Sequence, residues 1–355
     1  MDFGLDETQQ SIADLSATVL RNEVDGARVD QVVSSELGYD ETLWKALGQA
    51  GLLTLAVPEA LGGDGFGAIE LAAVLSEVGR QTLPLPALAT LASGVLPIAT
   101  FGSAAQQAAL LPEVADGRVL SAALRDNGPR QLAAVRDGSA FVLSGTKIGV
   151  PYAAQAHRVL VGSDAGVFVV DPRADGVILT RTPTSTGSPE YTMTLAGLRL
   201  AESDLLTTDV RGVERFAIAG ACAIADGVIS AALALTAGHL ATRHQFGKPL
   251  ATFQAVAQEI ADVYITGRTV HLAATSVNWR LAAGVDADDD LDIAAYWVAS
   301  ELPTALQVCH HLHGGLGVDH TYPLHRYYSH AKDLARFVGG AAQRLDLIGA
   351  RCSSN

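Results

Sequence analysis

The 355-residue chain contains few cysteines, few aromatic residues and few positive charges. Its three cysteines, Cys222, Cys309 and Cys352, lie far apart, form no CxxC pair and leave an odd number, so we expect a reducing compartment and no disulfides. Lysine and arginine number 24 against 38 acidic residues, which gives a formal net charge of −14. A surface of this charge repels phosphate backbones and anionic lipids. We therefore expect no nucleic acid among its partners.

A secretion signal is not recognisable, because Asp2 and Asp6 stand where a signal peptide carries bases and no apolar region follows them. The longest apolar run, from Phe216 to Gly238, contains one charged residue, Asp226. Its length could span a bilayer. However, the run is built from alanine and glycine more than leucine, and inserting the central acid would cost ~2.5–3.5 kcal/mol. These features predict a buried helix in a cytoplasmic protein without a membrane partner.

The spacing of apolar residues changes twice along the chain. Helical spacing at residues 7–24 and 43–55 gives way, between residues 119 and 206, to short β-branched runs separated by Gly, Asp and Pro. Four long helices are then predicted at Glu214–Arg243, Phe253–Leu281, Leu291–His310 and His325–Ala350. The pattern predicts an α+β fold with an N-terminal helical domain (residues 1–112), a middle antiparallel β domain (113–208) and a C-terminal four-helix bundle (209–355).

The glycine-rich stretch Val57–Gly67 precedes a helix predicted from Ala68 to Arg80. A phosphate-binding loop would follow a strand and show GxGxxG or GxxxxGK[ST] spacing, and this stretch does neither. We expect it to form a turn between two helices.

Two motifs in the last third carry a family resemblance. One is the run Arg243–Leu250 (RHQFGKPL) followed by Phe253–Val256 (FQAV), and the other is His311–Gly317 (HLHGGLG) followed by Tyr322-Pro323. They resemble the RxQFGxPLxxFQxV and QLHGGxG…YP motifs of the flavin-dependent acyl-CoA dehydrogenases. Val57-Pro58-Glu59 near the N-terminus is similar to that family too, so the resemblance covers nearly the whole chain. It implies the family fold and FAD as cofactor.

The resemblance assigns these residues to the ADP half of a flavin held mainly by a neighbouring subunit. An arginine can pair with a diphosphate while an aromatic ring one helical turn away covers an adenosine. A nearby glutamine can donate a hydrogen bond, and paired glycines allow close approach of the backbone. Arg243 alone could equally be a cation favourable to the end of a helix. The implied cofactor-binding residues are Arg243, Phe246, Gln254, His311, Gly314 and Gly315, with His311 in place of the family's glutamine.

The catalytic base of the family is missing from its usual places. In one branch a glutamate precedes the Tyr-Pro pair, and here that residue is Thr321. In the other branch the glutamate lies early in the helix that ends in RxxFG. Gap-free counting places Ala217 there, one turn from Glu214. Glu214 is therefore either a base or a solvated acid near the helix start, and we assign no catalytic residue.

Three further family motifs are altered. The stretch expected to resemble TEPxxGSD is Ala122–Pro129, the W-I-T-N-G strand has become Ile148–Tyr152, and the GGTxxxQ contact is Gly339–Gln343, without its hydroxyl. These changes remove residues that contact flavin and substrate within the same chain. The RxxFG motif, which in the family contacts the flavin of a neighbouring subunit, is kept. The chain thus resembles the shorter, base-lacking subunit of heteromeric bacterial steroid side-chain acyl-CoA dehydrogenases.

This resemblance implies a heterotetramer with a catalytic acyl-CoA dehydrogenase subunit, which would hold most of the acyl-CoA. Electron-transfer flavoprotein is a candidate electron acceptor. Two alternatives stay open: a self-sufficient homo-oligomer with Glu214 as base, and a purely structural subunit. The histidines around His310–His330 do not show the spacing of a metal site, so we expect no metal.

Overall fold

The structure, a computed structural model, describes residues 4–21 and 26–353. The chain divides into two compact units: unit 1 comprises Met1–Asp30, Ala72–Leu83 and Ile218–Asn355, and unit 2 comprises Gln31–Leu71 and Pro84–Ala217. The predicted three-domain boundaries stay a prediction.

The N-terminal region is helical, as expected: α1 (Glu7–Arg21), α2 (Gly26–Val33), α3 (Glu41–Gln49), α4 (Ala68–Gln81), a π-helix (Leu88–Val95), α5 (Leu96–Phe101) and α6 (Ala104–Leu110). Val24, the end of the first predicted helix, lies outside the described residues.

The glycine-rich stretch before α4 forms a turn, as predicted. Its centre is a short 3₁₀ helix, Glu59–Leu61. The Gly65 N–H donates to the Val57 carbonyl (2.9 Å) and the Phe66 N–H to the Leu55 carbonyl (2.7 Å). These amides satisfy carbonyls of their own loop, so they do not point outward to cradle a phosphate.

Unit 2 contains two β-sheets. One has the strand order β1-β5-β6-β9, and the other has β2-β4-β8-β7 with β3 also paired to β4. All pairs are antiparallel except β1 and β5, because the chain passes through the other sheet between them and returns by a crossover. The β prediction is confirmed with this one parallel pair. The strands are β1 (Leu120–Ala123), β2 (Arg125–Asp126), β3 (Ala133–Asp137), β4 (Ala140–Pro151), β5 (Arg158–Ser163), β6 (Gly166–Val170), β7 (Val177–Thr182), β8 (Glu190–Ala201) and β9 (Leu205–Thr207).

Side chains from both sheets fill the core of unit 2. Leu143, Phe168 and Met193 are fully buried there. The rings of Phe141 and Phe168 meet edge to face with centroids 5.0 Å apart, a favourable arrangement for aromatic pairs. The middle of the chain therefore has a complete hydrophobic core of its own.

The last third of the chain has five helices instead of the four predicted. Gly339 and Gly340 have φ of +100° and +81°, outside the range of a right-handed helix, and they divide the helix predicted at His325–Ala350. The elements are α7 (Val210–Thr242), β10 (His244–Gln245), β11 (Lys248–Pro249), α8 (Gln254–Ala282), α9 (Asp288–His313), α10 (Leu324–Phe337) and α11 (Ala341–Cys352).

Close helix packing explains the composition of α7, which by length and apolarity could cross a membrane. In unit 1 a Cβ added to Gly227 would lie 1.9 Å from the Ser76 carbonyl oxygen of α4, and one added to Gly79 would lie 2.2 Å from the Ile224 carbonyl oxygen. Small residues thus let the two backbones approach, and 72% of the most apolar window of α7 is buried. Asp226 accepts hydrogen bonds from Ser76 Oγ (3.4 Å) and His271 Nδ1 (3.1 Å). The acid in the apolar run is therefore part of a helix-packing contact.

A buried ion-pair network holds α9 and α11 together. Asp292 is fully buried, and its Oδ1 lies 2.7 Å from Arg344 Nη1. Its Oδ2 pairs with Arg351 Nη2, and Arg344 Nε donates to the Val338 carbonyl. Each buried charge has a partner, which is the condition for a buried ion pair to be tolerated.

We expect Asp292→Ala to destabilise unit 1 by about 3–5 kcal/mol, because Arg344 would keep a buried charge without a partner. Asp289→Ala is the matched control, since Asp289 pairs with the same Arg351 but its side chain is 78% exposed. Chemical denaturation would compare the two variants. Equal losses of stability would contradict this role for Asp292.

Candidate functional site

A tight β-hairpin follows the end of α7. His244 pairs with Pro249 and Gln245 with Lys248, which leaves Phe246-Gly247 as a two-residue turn. Their φ values are +51° and +79°, and positive φ at both positions is typical of a type I′ hairpin turn. Glycine adopts this conformation freely, but for Phe246 it costs about 1–2 kcal/mol.

Phe246, whose backbone is strained, is also 91% exposed. Its ring makes an edge-to-face contact with Phe253, with centroids 6.1 Å apart, and Lys248 Nζ lies 4.3 Å from the centroid of the Phe253 ring. The hairpin thus presents an aromatic ring to solvent and gains little burial from it. Strain and exposure together indicate a surface that contacts another molecule.

Arg243 lies at the base of the hairpin. Its N–H donates to the His239 carbonyl (2.8 Å), and its carbonyl accepts from the Leu250 N–H (2.8 Å). Its side chain is exposed, and no carboxylate of residues 4–21 or 26–353 forms an ion pair with it. An unpaired guanidinium on a protein with this acidic surface is suited to an external anion such as a diphosphate. Gln254, exposed at the first position of α8, follows the hairpin directly.

The second motif forms a turn at the end of α9, where a short 3₁₀ helix, Gly314–Val318, begins. Gly314 has φ +60° and ψ −136°, a conformation that only glycine adopts readily. Gly315 has no such backbone requirement, and a Cβ added to it would meet no atom within 4 Å. Nothing in the described chain therefore requires glycine at position 315, whereas a bound molecule approaching the backbone would.

Helix α8 connects these two places. His311 is exposed, and its Nε2 lies 3.9 Å from Oε2 of Glu259, which follows Gln254 by little more than one helical turn. The six predicted cofactor-binding residues therefore lie on adjoining elements of unit 1, namely the hairpin, the start of α8 and the end of α9. Their exposed side chains and open glycines fit one half of an FAD site, and their individual roles stay predictions.

No base occupies the position before Tyr322-Pro323. Thr321 donates two hydrogen bonds to Asp319 Oδ1, from its N–H (2.9 Å) and from Oγ1 (2.8 Å). Sequence reasoning missed Asp319, although an Asp two residues before a Thr is typical of an Asx turn. These hydrogen bonds lower the pKa of Asp319, which makes it a weaker base.

The alternative base, Glu214, lies near the start of α7. One of its carboxylate oxygens is 3.7 Å from Arg211 Nη1, and its side chain is 34% exposed. Ala217, the residue found by gap-free counting, is buried and has no functional group. Glu214 is thus ion-paired and partly buried, and its assignment as a base or as a solvated acid stays a prediction.

The end of the altered stretch Ile148–Tyr152 lies partly in the core of unit 2. Val150 is fully buried, Pro151 has no N–H to donate, and Tyr152 is buried with φ +51° and its ring edge-on to Tyr39. Burial raises the pKa of Tyr152. These three residues therefore offer no indole and no exposed hydroxyl to an isoalloxazine ring.

The start of the same region holds a buried ion pair. Lys147 Nζ lies 2.6 Å from Asp126 Oδ1 and 3.4 Å from the Leu124 carbonyl oxygen. Burial lowers the pKa of Lys147. Both charges are used within the protein and do not face a ligand. In residues 4–21 and 26–353 no group of three or more His, Cys, Asp or Glu side chains could hold a metal ion.

Comparison with protein families matches two models. Residues 6–118 match the N-terminal domain of acyl-CoA dehydrogenases, and residues 207–352 match their C-terminal domain. The segment between these matches carries the altered middle-domain motifs.

Individual relatives cover the whole chain. Acyl-CoA dehydrogenase FadE28 of Mycobacterium tuberculosis (strain ATCC 25618 / H37Rv) is 50% identical over 99% of both chains. The chain is also similar to a structure of the ChsE4-ChsE5 complex from M. tuberculosis, at 33% identity and TM-score 0.94 over 100% of both chains. A variant of the Tcur3481-Tcur3483 steroid ACAD is 34% identical, with TM-score 0.91 over 98% of this chain and 99% of that one.

The two adjacent glycines should respond differently to substitution by alanine. Gly314→Ala should destabilise the protein by about 1–3 kcal/mol because of its backbone conformation. Gly315→Ala should change stability by less than about 0.5 kcal/mol, because the new methyl group meets open space. Thermal unfolding of both variants would test this, and an equal loss at both positions would contradict the geometry described for Gly315.

Proposed function

Because the chain belongs to the acyl-CoA dehydrogenase family, whose cofactor is FAD, we propose that it is the base-lacking subunit of a heteromeric enzyme and completes the FAD site of a catalytic partner. The main support for this proposal is a contrast between two places in the chain. One is the hairpin and glycine turn, which would contact a partner's flavin, and the other is the end of β4, which would contact a flavin of the chain itself. The hairpin and the glycine turn are exposed: the Phe246 side chain contacts the edge of Phe253, and no carboxylate of the described residues pairs with Arg243. At the strand end expected to contact the chain's own flavin, Val150 and Tyr152 are instead buried and Pro151 has no N–H.

In this proposal the chain binds the ADP half of the cofactor. Arg243 neutralises diphosphate charge, the Phe246 ring covers the adenosine, Gln254 and His311 donate hydrogen bonds, and Gly314 and Gly315 let the backbone approach. When bound, FAD supplies the hydride acceptor for the substrate β-carbon. The partner's carboxylate removes the α-proton, so that the electron pair of the α C–H bond forms the double bond of a 2-enoyl thioester. Without a base, this chain alone would be slower by ~10²–10⁴.

An apolar face on α8 supports an association with another subunit. Tyr264, Ile265 and Leu272 lie on one side of the helix and are 55%, 58% and 44% exposed. Exposed apolar groups at helical spacing are typical of a protein–protein interface. The similar ChsE4-ChsE5 structure is itself a complex of two different chains. We propose a heterotetramer in the cytoplasm, with electron-transfer flavoprotein as a candidate acceptor.

For the substrate we propose the CoA ester of a steroid side chain, bound mainly by the partner. The support is similarity to a steroid ACAD. The self-sufficient alternative would use Glu214 as base. It is less well supported, because Glu214 is ion-paired with Arg211 and unit 2 lacks exposed flavin contacts.

The purified chain alone should be colourless and inactive. Co-expression with its catalytic partner should give a yellow complex with about one flavin for every two chains, as one split site per unlike pair requires. Flavin absorbance and acyl-CoA turnover would be measured on both preparations. A yellow, active chain without a partner would refute the proposal and favour Glu214 as base.

Arg243→Ala in the complex should weaken FAD binding by about 1.5–3 kcal/mol, because a charge-assisted hydrogen bond to the diphosphate is lost. Arg173→Ala, which removes the same charge from a side chain that is 62% exposed in unit 2, is the control. FAD affinity would be measured by titration of the flavin-depleted complex. If both variants bind FAD like the wild type, the chain is a purely structural subunit.

A further inference from the structure

Two stacked histidines are adjacent in sequence to the proposed FAD contacts: His239 lies one helical turn before Arg243, and His313 precedes Gly314. The rings of His239, on α7, and His313, the last residue of α9, are 4.5 Å apart with an interplanar angle of 20°. His313 Nδ1 lies 2.8 Å from the Cys309 carbonyl oxygen and Nε2 lies 3.1 Å from Tyr322 Oη. Since a carbonyl only accepts, Nδ1 carries the hydrogen, and in the neutral ring Nε2 accepts from the tyrosine hydroxyl. These two hydrogen bonds thus select one tautomer of the neutral His313 ring.

This stack connects the two parts of the candidate site. The carbonyl of His239 accepts the N–H of Arg243 (2.8 Å), so His239 lies one helical turn before the hairpin. His313 immediately precedes Gly314, and Tyr322 stands at the far end of the same loop. His313 therefore ties both ends of the glycine turn to one ring, and that ring to the end of α7.

The surroundings favour neutral imidazoles. Burial lowers the pKa of both His239 and His313, and Arg243 and the facing His313 lower that of His239 further. The other titratable neighbours are Tyr322, which is neutral, and His310 on α9, next to His325 and Lys332. No carboxylate among the described residues forms an ion pair with either stacked ring. Protonation would therefore place an unpaired cation against a second imidazole and near Arg243.

We propose that the His239–His313 stack is a positioning device that holds the hairpin and the glycine turn in register for FAD while both rings are neutral, and releases FAD when a ring is protonated. This inference rests on the proposed function and adds a regulation to it. Because the folded-state pKa of each ring is lowered, the contribution of the stack is complete above about pH 6.5, the ordinary histidine value. It is lost as the pH falls through the lowered values.

The test uses the complex with its catalytic partner and measures FAD dissociation by flavin fluorescence between about pH 7.5 and pH 5, a range that brackets the ordinary histidine pKa. The wild-type complex should lose FAD affinity about tenfold, equivalent to about 1.4 kcal/mol. His239→Phe keeps an aromatic ring for stacking but cannot be protonated, so affinity at high pH should be kept and the acid loss reduced. Tyr322→Phe frees His313 Nε2, so release should move to higher pH.

The matched control is His320→Phe, because His320 lies in the same turn with a side chain that is 88% exposed and outside the stack. Its pH profile should equal that of the wild type. Thermal unfolding at pH 7.5 checks that each variant is folded, and if His239→Phe is not, the shift in Tyr322→Phe decides. Identical pH profiles for wild type, His239→Phe and Tyr322→Phe would overturn this inference alone, provided that Arg243→Ala still weakens FAD binding. If Arg243→Ala has no effect, the proposed function itself fails.

Discussion

The backbone of the turn at Phe246-Gly247 has a conformation that costs free energy, and the Phe246 side chain gains almost no burial there. The rest of the candidate site is arranged around this strained and exposed turn. A non-glycine residue with positive φ persists only where its surroundings determine it. Here the surroundings are the backbone hydrogen bond from Leu250 to Arg243, the edge contact with Phe253 and the start of α8. Each fixes the hairpin relative to unit 1 and leaves its tip in solvent. Burial within the described residues therefore does not offset the strain of this turn.

Unit 2 shows the opposite arrangement. Its strands bury their apolar faces in a complete core, and its buried Lys147 forms an ion pair with the partly buried Asp126. At the end of β4, where a flavin-binding strand would offer an indole and a hydroxyl, the residues are Val150, Pro151 and a buried tyrosine. Unit 1 therefore exposes the residues proposed to contact FAD, whereas the corresponding strand end of unit 2 buries Val150 and Tyr152.

Much of the fold could be predicted from the sequence, because the change from helical to alternating spacing is a local property. Motifs of contiguous residues located the hairpin and the glycine turn, but the expected helical-turn spacing of Arg243 and Phe246 was wrong, because Phe246 lies in a hairpin turn after α7. What was missed depends on contacts between distant residues or on backbone conformation. The parallel pairing of β1 with β5 requires a crossover that no local pattern shows. The break at Gly339-Gly340 could have been expected from two adjacent glycines, but the continuous apolar spacing on either side favoured one helix. The stacking of His239 on His313 needed the packing of α7 against α9.

The strain at Phe246 also bears on the choice between a flavin-binding and a purely structural subunit. A subunit that only stabilised its partner could use the apolar face of α8 and would have no physical need for an exposed ring in a strained turn, for an arginine without a carboxylate, or for an open backbone at Gly315. All three cost free energy or forgo burial in the isolated chain, and one ligand with a diphosphate and an aromatic base would compensate all three. A self-sufficient enzyme would need, in addition, a base free of ion pairing and flavin contacts in unit 2. The geometry of Glu214 with Arg211 and the buried end of β4 argue against both. The proposed division of one active site between two unlike chains would account for both the exposed hairpin and the partly buried end of β4.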